Sequence, residues 1–397
     1  HGDYIDGEMK NTPEELSEYS REKNKLLNKI FEDFGLVVCG WSAEYDIALR
    51  EALYRRKSRR YSIYWTGIRE PKQEAGELIR FLQADLINIE DADSFFDGLV
   101  NKIEALREYN KPHPLSSTII IEETKKYLSE EKYYIKLDEL VKDEIEIVYK
   151  YFSENLWNNS GFSDHSQRYK EYEIRLEILL NIIITIAYYG LRNTHRIITE
   201  TIEKFANVSV VVTWSNLYPA LIIEYCCGVA AIAGKKYHNL SAVLCEPKIA
   251  EGEKYVSALI HIIPQKIFEN VEINIPREYR QNTFPRSTFL LDTIRKYISK
   301  FVPGKDNLNR IFDQFEYLLG LVYTDQKLNE PNFRELRWAP FGKFCSLVGE
   351  NWKDIYISQF IEKEKLNLLE GNFLDGNPDR FDKAKNEYER YLMSKLF

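Results

Sequence analysis

Three short apolar runs constrain the fold of this chain more than any other feature: GLVVCG at residues 35–40, YSIYW at 61–65 and DLINIE at 85–90. A segment of helical length follows each, over about 44–56, 70–84 and 91–109. Upstream, Thr12-Pro13-Glu14-Glu15 combines a threonine cap, a proline in the first turn and a glutamate in the capping-box position, which predicts a helix reaching about Phe34. Strands separated by helices of this length predict a parallel sheet with right-handed crossovers. GLVVCG reads as a buried strand. On the last helix, Phe95, Phe96, Leu99, Ile103 and Leu106 share one stripe. Three strands are few for such a sheet, so residues 1–109 read as the second, C-terminal half of a doubly wound, Rossmann-like α/β domain.

The stretch EYNKPHPLSS, with its two prolines and two serines, breaks the alternation and places a linker at 110–116. Residues 117–397 read as a mostly α-helical domain with no clear repeat period. Helices are expected over KLDELVKDEIEIVYKYFSENLW, QRYKEYEIRLEILLNIIITIAYYG, TFLLDTIRKYISKFV and NLNRIFDQFEYLLGLVY. NVSVVVTW and NVEINI are candidate short strands whose sheet partners are not evident.

A length of 397 residues suits two domains, and 44% hydrophobic with 14% aromatic residues is the composition of a folded chain. A net charge of −8 and a pI of about 5.6 argue against phosphate backbones as the main partner, so direct nucleic-acid binding is not expected. The one basic run, YRRKSRRY, reads as a solvated helix end. Five scattered cysteines without a Cys-x-x-Cys pair favour a reducing, cytoplasmic setting and offer no four-ligand zinc spacing. ILLNIIITIAYYG and YPALIIEYCCGVAAIAG fall short of about twenty uninterrupted apolar residues, and the second carries Pro219 and Glu224. Both read as core helices, not membrane spans. No signal peptide is visible.

In doubly wound sheets ligands sit beyond the carboxyl ends of the strands. That singles out Gly40-Trp41-Ser42, Thr66-Gly67 and the turn Glu90-Asp91-Ala92-Asp93. Gly40 allows a ligand close to the backbone, and Ser42 stands where a helix is expected to begin. A strand-Gly-x-Ser-helix turn is also consistent with simple capping. Comparison with the Gly-x-Ser-x-Gly nucleophile elbow fails because Glu44 stands where the second glycine belongs. His113, His165, His195, His238 and His261 show no metal-like spacing.

The ordered segments HGDYIDGEMKNTPEEL, GLVVCGWSAEYDIALREAL, YSIYW and ADLINIEDADSFFDGL resemble the second half of a sirtuin-like NAD-consuming domain over about residues 1–109. The resemblance implies that His1 is the catalytic histidine, that Gly40 and Ser42 match the family's Gly-Thr-Ser turn with Trp41 departing at its middle, that Thr66 falls near the ribose-contacting strand end, and that Asp91, Ala92 and Asp93 fall near the adenine turn. It also implies that the glycine-rich phosphate loop and the nicotinamide-contacting residues precede His1, so the chain as given is expected to bind NAD poorly and to be inactive alone. The four-cysteine zinc module of protein-deacylating sirtuins has no counterpart between the His-Gly pair and the next strand, where no cysteine precedes Cys39. That layout, with attached segments such as YPALIIEYCCGVAAIAGKKYHNL and FEYLLGLVYTD, is similar to bacterial sirtuin-like proteins that hydrolyse NAD in defence against phage.

What the resemblance implies for the intact protein is therefore an NAD glycohydrolase, releasing nicotinamide and ADP-ribose, with His1 as general base and no zinc. The helical domain is then expected to act as a sensor or oligomerisation module, forming a homo-oligomer or meeting a defence-system partner, with a phage protein as a candidate trigger. Three rivals stay open: an NAD-dependent protein deacylase, a non-enzymatic scaffold built on the same fold, and a nucleic-acid-associated role like that of sirtuin-like subunits paired with short Argonaute proteins.

Overall fold

The computed structural model describes residues 19–56, 61–109, 114–157, 165–208, 214–252, 254–347 and 356–396. The chain divides into two compact units, His1–Asn110 and Lys111–Phe397.

The first unit runs α1 (Arg21–Asp33), β1 (Leu36–Cys39), α2 (Ile47–Tyr54), β2 (Ile63–Gly67), α3 (Gln73–Leu82), β3 (Asp85–Asn88) and α4 (Ala92–Tyr109). Its strands form a parallel sheet in the order β1-β2-β3, with Val38 beside Trp65 and Trp65 beside Leu86. Phe31 of α1, Ala52 and Leu53 of α2, and Leu78 and Leu82 of α3 pack in one core with Val38, Ile63 and Trp65 of the strands. Successive strand residues point to opposite faces, so these helices cover one face of the sheet.

The other face corrects the expectation of a fully buried strand. Val37 and Tyr64, neighbours in register, remain 39% and 40% exposed, and no residue of β3 is buried. The helix over 92–109 forms, but its stripe does not reach a core: Phe96 and Ile103 are each 43% exposed, while the side chain of Leu106 lies outside the described residues. The proposed start at Thr12 to Glu15 lies outside the described residues as well. A continuous helix through residue 20 is ruled out by the extended backbone of Ser20, ψ 158°, whose hydroxyl accepts the Lys23 N–H at 3.3 Å and so starts α1 afresh. Arg55, in the basic run, ties this helix down through Asn24 at 2.6 Å; residues 57–60 of the run lie outside the described residues.

The second unit is helical: α5 (Pro114–Ser129), α6 (Tyr134–Asn155), α7 (His165–Tyr189), α8 (His195–Ala206), α9 (Tyr218–Ala233) and α10 (Tyr237–Leu244), then a hairpin of β4 (Lys248–Glu251) and β5 (Lys254–Ser257). It continues with α11 (Pro264–Ile267), α12 (Val271–Asn274), α13 (Pro285–Ile298), α14 (Lys305–Leu328), α15 (Tyr356–Glu370) and α16 (Pro378–Leu396). NVEINI is therefore a helical turn, not a strand, because Asn270 accepts the Glu272 N–H at 3.0 Å and caps it. The hairpin at KIAEGEKYVS, turned near Gly252 in the left-handed region (φ 63°), was not legible as strands. Most of NVSVVVTW, residues 209–213, lies outside the described residues.

The apolar α9 is the centre of this unit and packs against α7, α8, α10, α13 and α14. The segment Trp214–Ala233 is long and apolar enough to cross a membrane, yet 94% of its apolar 18-residue window is buried within the protein. Gly228 is where α9 meets α14: a Cβ there would collide with the Phe315 ring. Alanine favours helix over glycine by about 1 kcal/mol, whereas overpacking a filled core costs about 1–3 kcal/mol. Gly228→Ala is expected to lower the thermal unfolding midpoint in calorimetry; a higher midpoint would contradict this packing.

Two carboxyl groups one turn apart on α14, Asp313 and Glu316, are buried. Lys343 pairs with Asp313 at 2.8 Å, Tyr356 donates to the same carboxylate, and Ser287 donates to Glu316 at 2.7 Å. Burial pushes Glu316 from 4.5 up to about 8, with the Asp313 charge acting in the same direction. Its carboxyl is thus protonated in the folded protein at pH 7 and ionised in the unfolded chain. Stability lost through this group accumulates as pH rises from 4.5 toward about 8. Denaturant titrations across that window are expected to show Glu316→Gln gaining on the wild type as pH rises; parallel profiles would contradict the assignment.

Candidate functional site

A cleft of about 430 Å³ lies at the carboxyl ends of the three parallel strands. β1 delivers Cys39, Gly40, Trp41 and Ser42 to it, and β2 delivers Trp65, Thr66 and Gly67. Leu86, Ile89 and Ala92 line the β3 side, while Arg69, Glu70 and Lys72 come from the approach to α3 and Ala75 from its first turn. Trp41 stacks on Trp65 with ring centroids 5.6 Å apart and planes 28° from parallel, giving the cleft an aromatic wall.

The loop from Gly40 to Asp46 holds this shape. Gly40 has φ 70°, and nothing lies within 4 Å of where a Cβ would stand, so the space beside it is open to a ligand. Ala43 is also left-handed, φ 59°, at a cost of roughly 1–2 kcal/mol for an L-residue. It is held there by complete burial in the core and by Arg50 Nη1, which donates to its carbonyl at 2.8 Å. Asp46, 1% exposed, accepts the Leu49 N–H at 2.9 Å as the cap of α2 and the Tyr19 hydroxyl at 2.7 Å. Burial, reinforced by the Asp46 carboxylate, drives the Tyr19 pKa far above its usual value.

The structure brings Gly40, Trp41, Ser42, Thr66 and Ala92 to one cleft. Several roles expected of these residues change. Ser42 does not start a helix: α2 begins at Ile47, and Ser42 Oγ accepts the Glu44 N–H at 3.4 Å. Thr66 is 3% exposed and its hydroxyl donates to the Val38 carbonyl at 3.0 Å, bracing β1 to β2. Asp91 accepts both the N–H and the hydroxyl of Ser94, at 2.7 and 2.6 Å, and is the cap of α4. Those bonds hold its carboxyl below the usual range. Neither Asp91 nor Asp93 lines the cleft. His1 lies outside the described residues.

Asp46 was missed although its signal was present: an aspartate directly before the apolar-periodic IALREAL. Arg69 and Lys72 were missed too; they bring positive charge to a lining that also carries Glu70. Lys72 flanks the start of α3, whose first turn has no side-chain cap, so its N–H groups add to that potential. Lys72 also pairs with Glu44 at 2.7 Å, which links the loops after β1 and β2 and holds the Glu44 carboxyl below its ordinary value. An aromatic wall beside a glycine-lined strand end, with Arg69 and the uncapped start of α3 at its edge, suits a flat ring carrying an anionic group. No histidine lines the cleft among the described residues, and no group of three or more His, Cys, Asp or Glu among them is arranged to hold a metal.

No family model matches the chain, and no curated protein or solved structure matches it significantly. The fold and the cleft therefore define its class: an α/β unit with a ligand-sized site at its strand ends, followed by a helical unit.

Removing the Asp46 carboxylate deprives α2 of its cap, a loss of about 1–2 kcal/mol. Asp46→Ala is expected to speed amide hydrogen exchange across 47–54; unchanged exchange there would contradict its role in holding the loop.

Proposed function

We propose that the complete gene product is a sirtuin-like NAD glycohydrolase whose α/β unit is the C-terminal half of a doubly wound, Rossmann-like sheet. The observation that carries this reading is the cleft at the carboxyl ends of β1, β2 and β3, with left-handed Gly40 open to a ligand, a stacked tryptophan wall, and Arg69 and Lys72 at its edge. The position is the one at which parallel α/β sheets take nucleotides. The exposed second face of the sheet is consistent with a fold in which further layers cover it.

On this reading the Gly40–Ser42 turn cradles the dinucleotide and holds the nicotinamide ribose for attack. Loss of nicotinamide passes through an oxocarbenium-like ribose, and much of the rate comes from fixing the dinucleotide against the nucleophile. His1 acts as general base toward water or a ribose hydroxyl, a contribution of about a hundredfold to ten-thousandfold. Water as nucleophile gives ADP-ribose; an acyl oxygen would give deacylation instead. The helical unit senses a trigger, for which a phage protein is the candidate, or assembles the enzyme in the cytoplasm during antiviral defence; this part rests on the sequence resemblance alone.

Mass spectrometry of NAD, nicotinamide and ADP-ribose in cells expressing the complete gene product, with and without phage, tests the proposal. NAD is expected to fall with the trigger and to be spared by His1→Ala. Stable NAD in the triggered wild type, or equal loss in the variant, would overturn it. Deacetylation of an acyl-lysine peptide without net NAD hydrolysis would favour the deacylase reading.

One observation favours a scaffold role as the second reading: Val37 and Tyr64 on the sheet, and Phe96, Val100 and Ile103 on α4, are exposed apolar residues of the α/β unit. Failure of the complete product to bind NAD in calorimetry would move the assignment there.

A further inference from the structure

Helices α14 and α15 pack against each other, yet where they face a cleft of about 510 Å³ their stripes mix polar with apolar residues. On α14 the residues are Asn307, Arg310, Ile311 and Gln314; on α15 they are Tyr356, Gln359, Phe360 and Lys363. Both follow the i, i+3, i+4, i+7 spacing of one helix face, the face that packed helices ordinarily make apolar. Packing on the core accounts for Ile311, Tyr356 and Phe360 but not for Asn307, Arg310, Gln314, Gln359 and Lys363.

Cations outnumber acids on the lining, three to one. Lys235, Arg310 and Lys363 are exposed, and none enters an ion pair with another described residue. The acid on the lining, Glu364, is only 5% exposed, accepts from Asn367 at 2.7 Å and from Tyr237, and is favoured as the carboxylate by the nearby charges of Lys235 and Lys363. The lining thus carries a net positive charge, within a chain whose net charge is −8. The start of α14, capped by Gly304 and carrying Asp306 in its first turn, reaches the cleft through Asn307. A second cleft of about 360 Å³ adjoins at Lys235 and Tyr237 and brings Arg192 and His238 alongside Glu370. There the Nε2 atom of His238 is buried without a hydrogen-bond partner.

The remaining lining is aromatic and aliphatic. Tyr188 and Phe301 lie against each other with ring centroids 5.7 Å apart, and Phe360 and Val302 are on the same lining. The volume is in the range of small-molecule sites, roughly 300–1,000 Å³. A simple phosphate site has no use for such a wall, and a lipid has no use for so many polar groups.

We propose that this cleft of the helical unit binds a nucleotide, its base against Tyr188, Phe301 and Phe360 and its phosphates on Lys235, Arg310 and Lys363. The site is separate from the strand-end cleft and does not depend on the activity assigned there. It gives the helical unit a small anionic ligand of its own. Tyr356, on the lining, donates to the buried Asp313 that Lys343 pairs with, so occupancy of the cleft bears on the polar network inside this unit.

Hydrogen–deuterium exchange on the full chain, with ADP as the probe and adenosine and inorganic phosphate as controls, reads the site by location. ADP is expected to slow exchange over 305–314 and 356–363. In Arg310→Ala/Lys363→Ala that protection is expected to require about tenfold more ADP, or to vanish, since charge-assisted bonds to phosphate are the strong ones. Both side chains are exposed, and circular dichroism checks that the fold is retained. Lys235→Ala, which lies outside both helices, carries the same expectation should the double variant unfold. Absence of protection in these segments at saturating ADP, or protection unchanged by the substitutions, would overturn the proposal. Equal protection by inorganic phosphate alone would overturn the assignment of a nucleotide.

Discussion

The strand-end cleft depends on two left-handed residues, Gly40 and Ala43, that turn the chain between β1 and α2. Glycine adopts this conformation freely; alanine does not, and its strain persists only because the surroundings over-determine it. The Ala43 side chain is fully buried, Arg50 holds its carbonyl, and Asp46 fixes the start of α2 while taking the Tyr19 hydroxyl. Together these contacts spread the cost over a helix cap, a charged hydrogen bond and a core position. They also leave Gly40 beside open space and set Trp41 on Trp65, and those two features give the cleft its character.

The helical unit is built on a different principle. Its centre is a helix apolar on every side, and specificity comes from polar groups placed among the apolar ones. Glu224 of α9 is 1% exposed, and burial raises its pKa well above the ordinary value. Asp313 and Glu316 share the cation of Lys343 with hydroxyl groups from Ser287 and Tyr356. One charge does not satisfy two buried carboxylates, so the second keeps its proton near neutrality. Such a network is sensitive to pH and to anything that moves Tyr356, whose ring lines the α14–α15 cleft.

Much of the organisation was legible because it rests on local signals. Alternating short apolar runs and amphipathic segments gave the parallel strands, and the glycine after β1 marked the turn into the cleft. Burial was less legible: GLVVCG reads as a strand covered on both faces, but its surroundings come from other elements, and α1 to α3 gather on one face only. The same limit applies to α4, whose stripe is a property of the sequence and whose lack of a packing partner is not. At the site, Gly40, Trp41 and Ser42 followed from strand-end logic, whereas Asp91 proved to be spent on Ser94 and Thr66 on Val38. Arg69 and Lys72 escaped because a basic residue ahead of a helix is common, and only the approach of the β2–α3 loop to the β1 turn gives it meaning.

The central claim is that the strand-end cleft holds NAD. Hydrogen–deuterium exchange of the complete gene product with and without NAD tests it most directly. The account predicts slowed exchange over 40–46 and 67–75, where the left-handed turn and the uncapped start of α3 meet the dinucleotide. Full occupancy by NAD with exchange in both segments unchanged would contradict it.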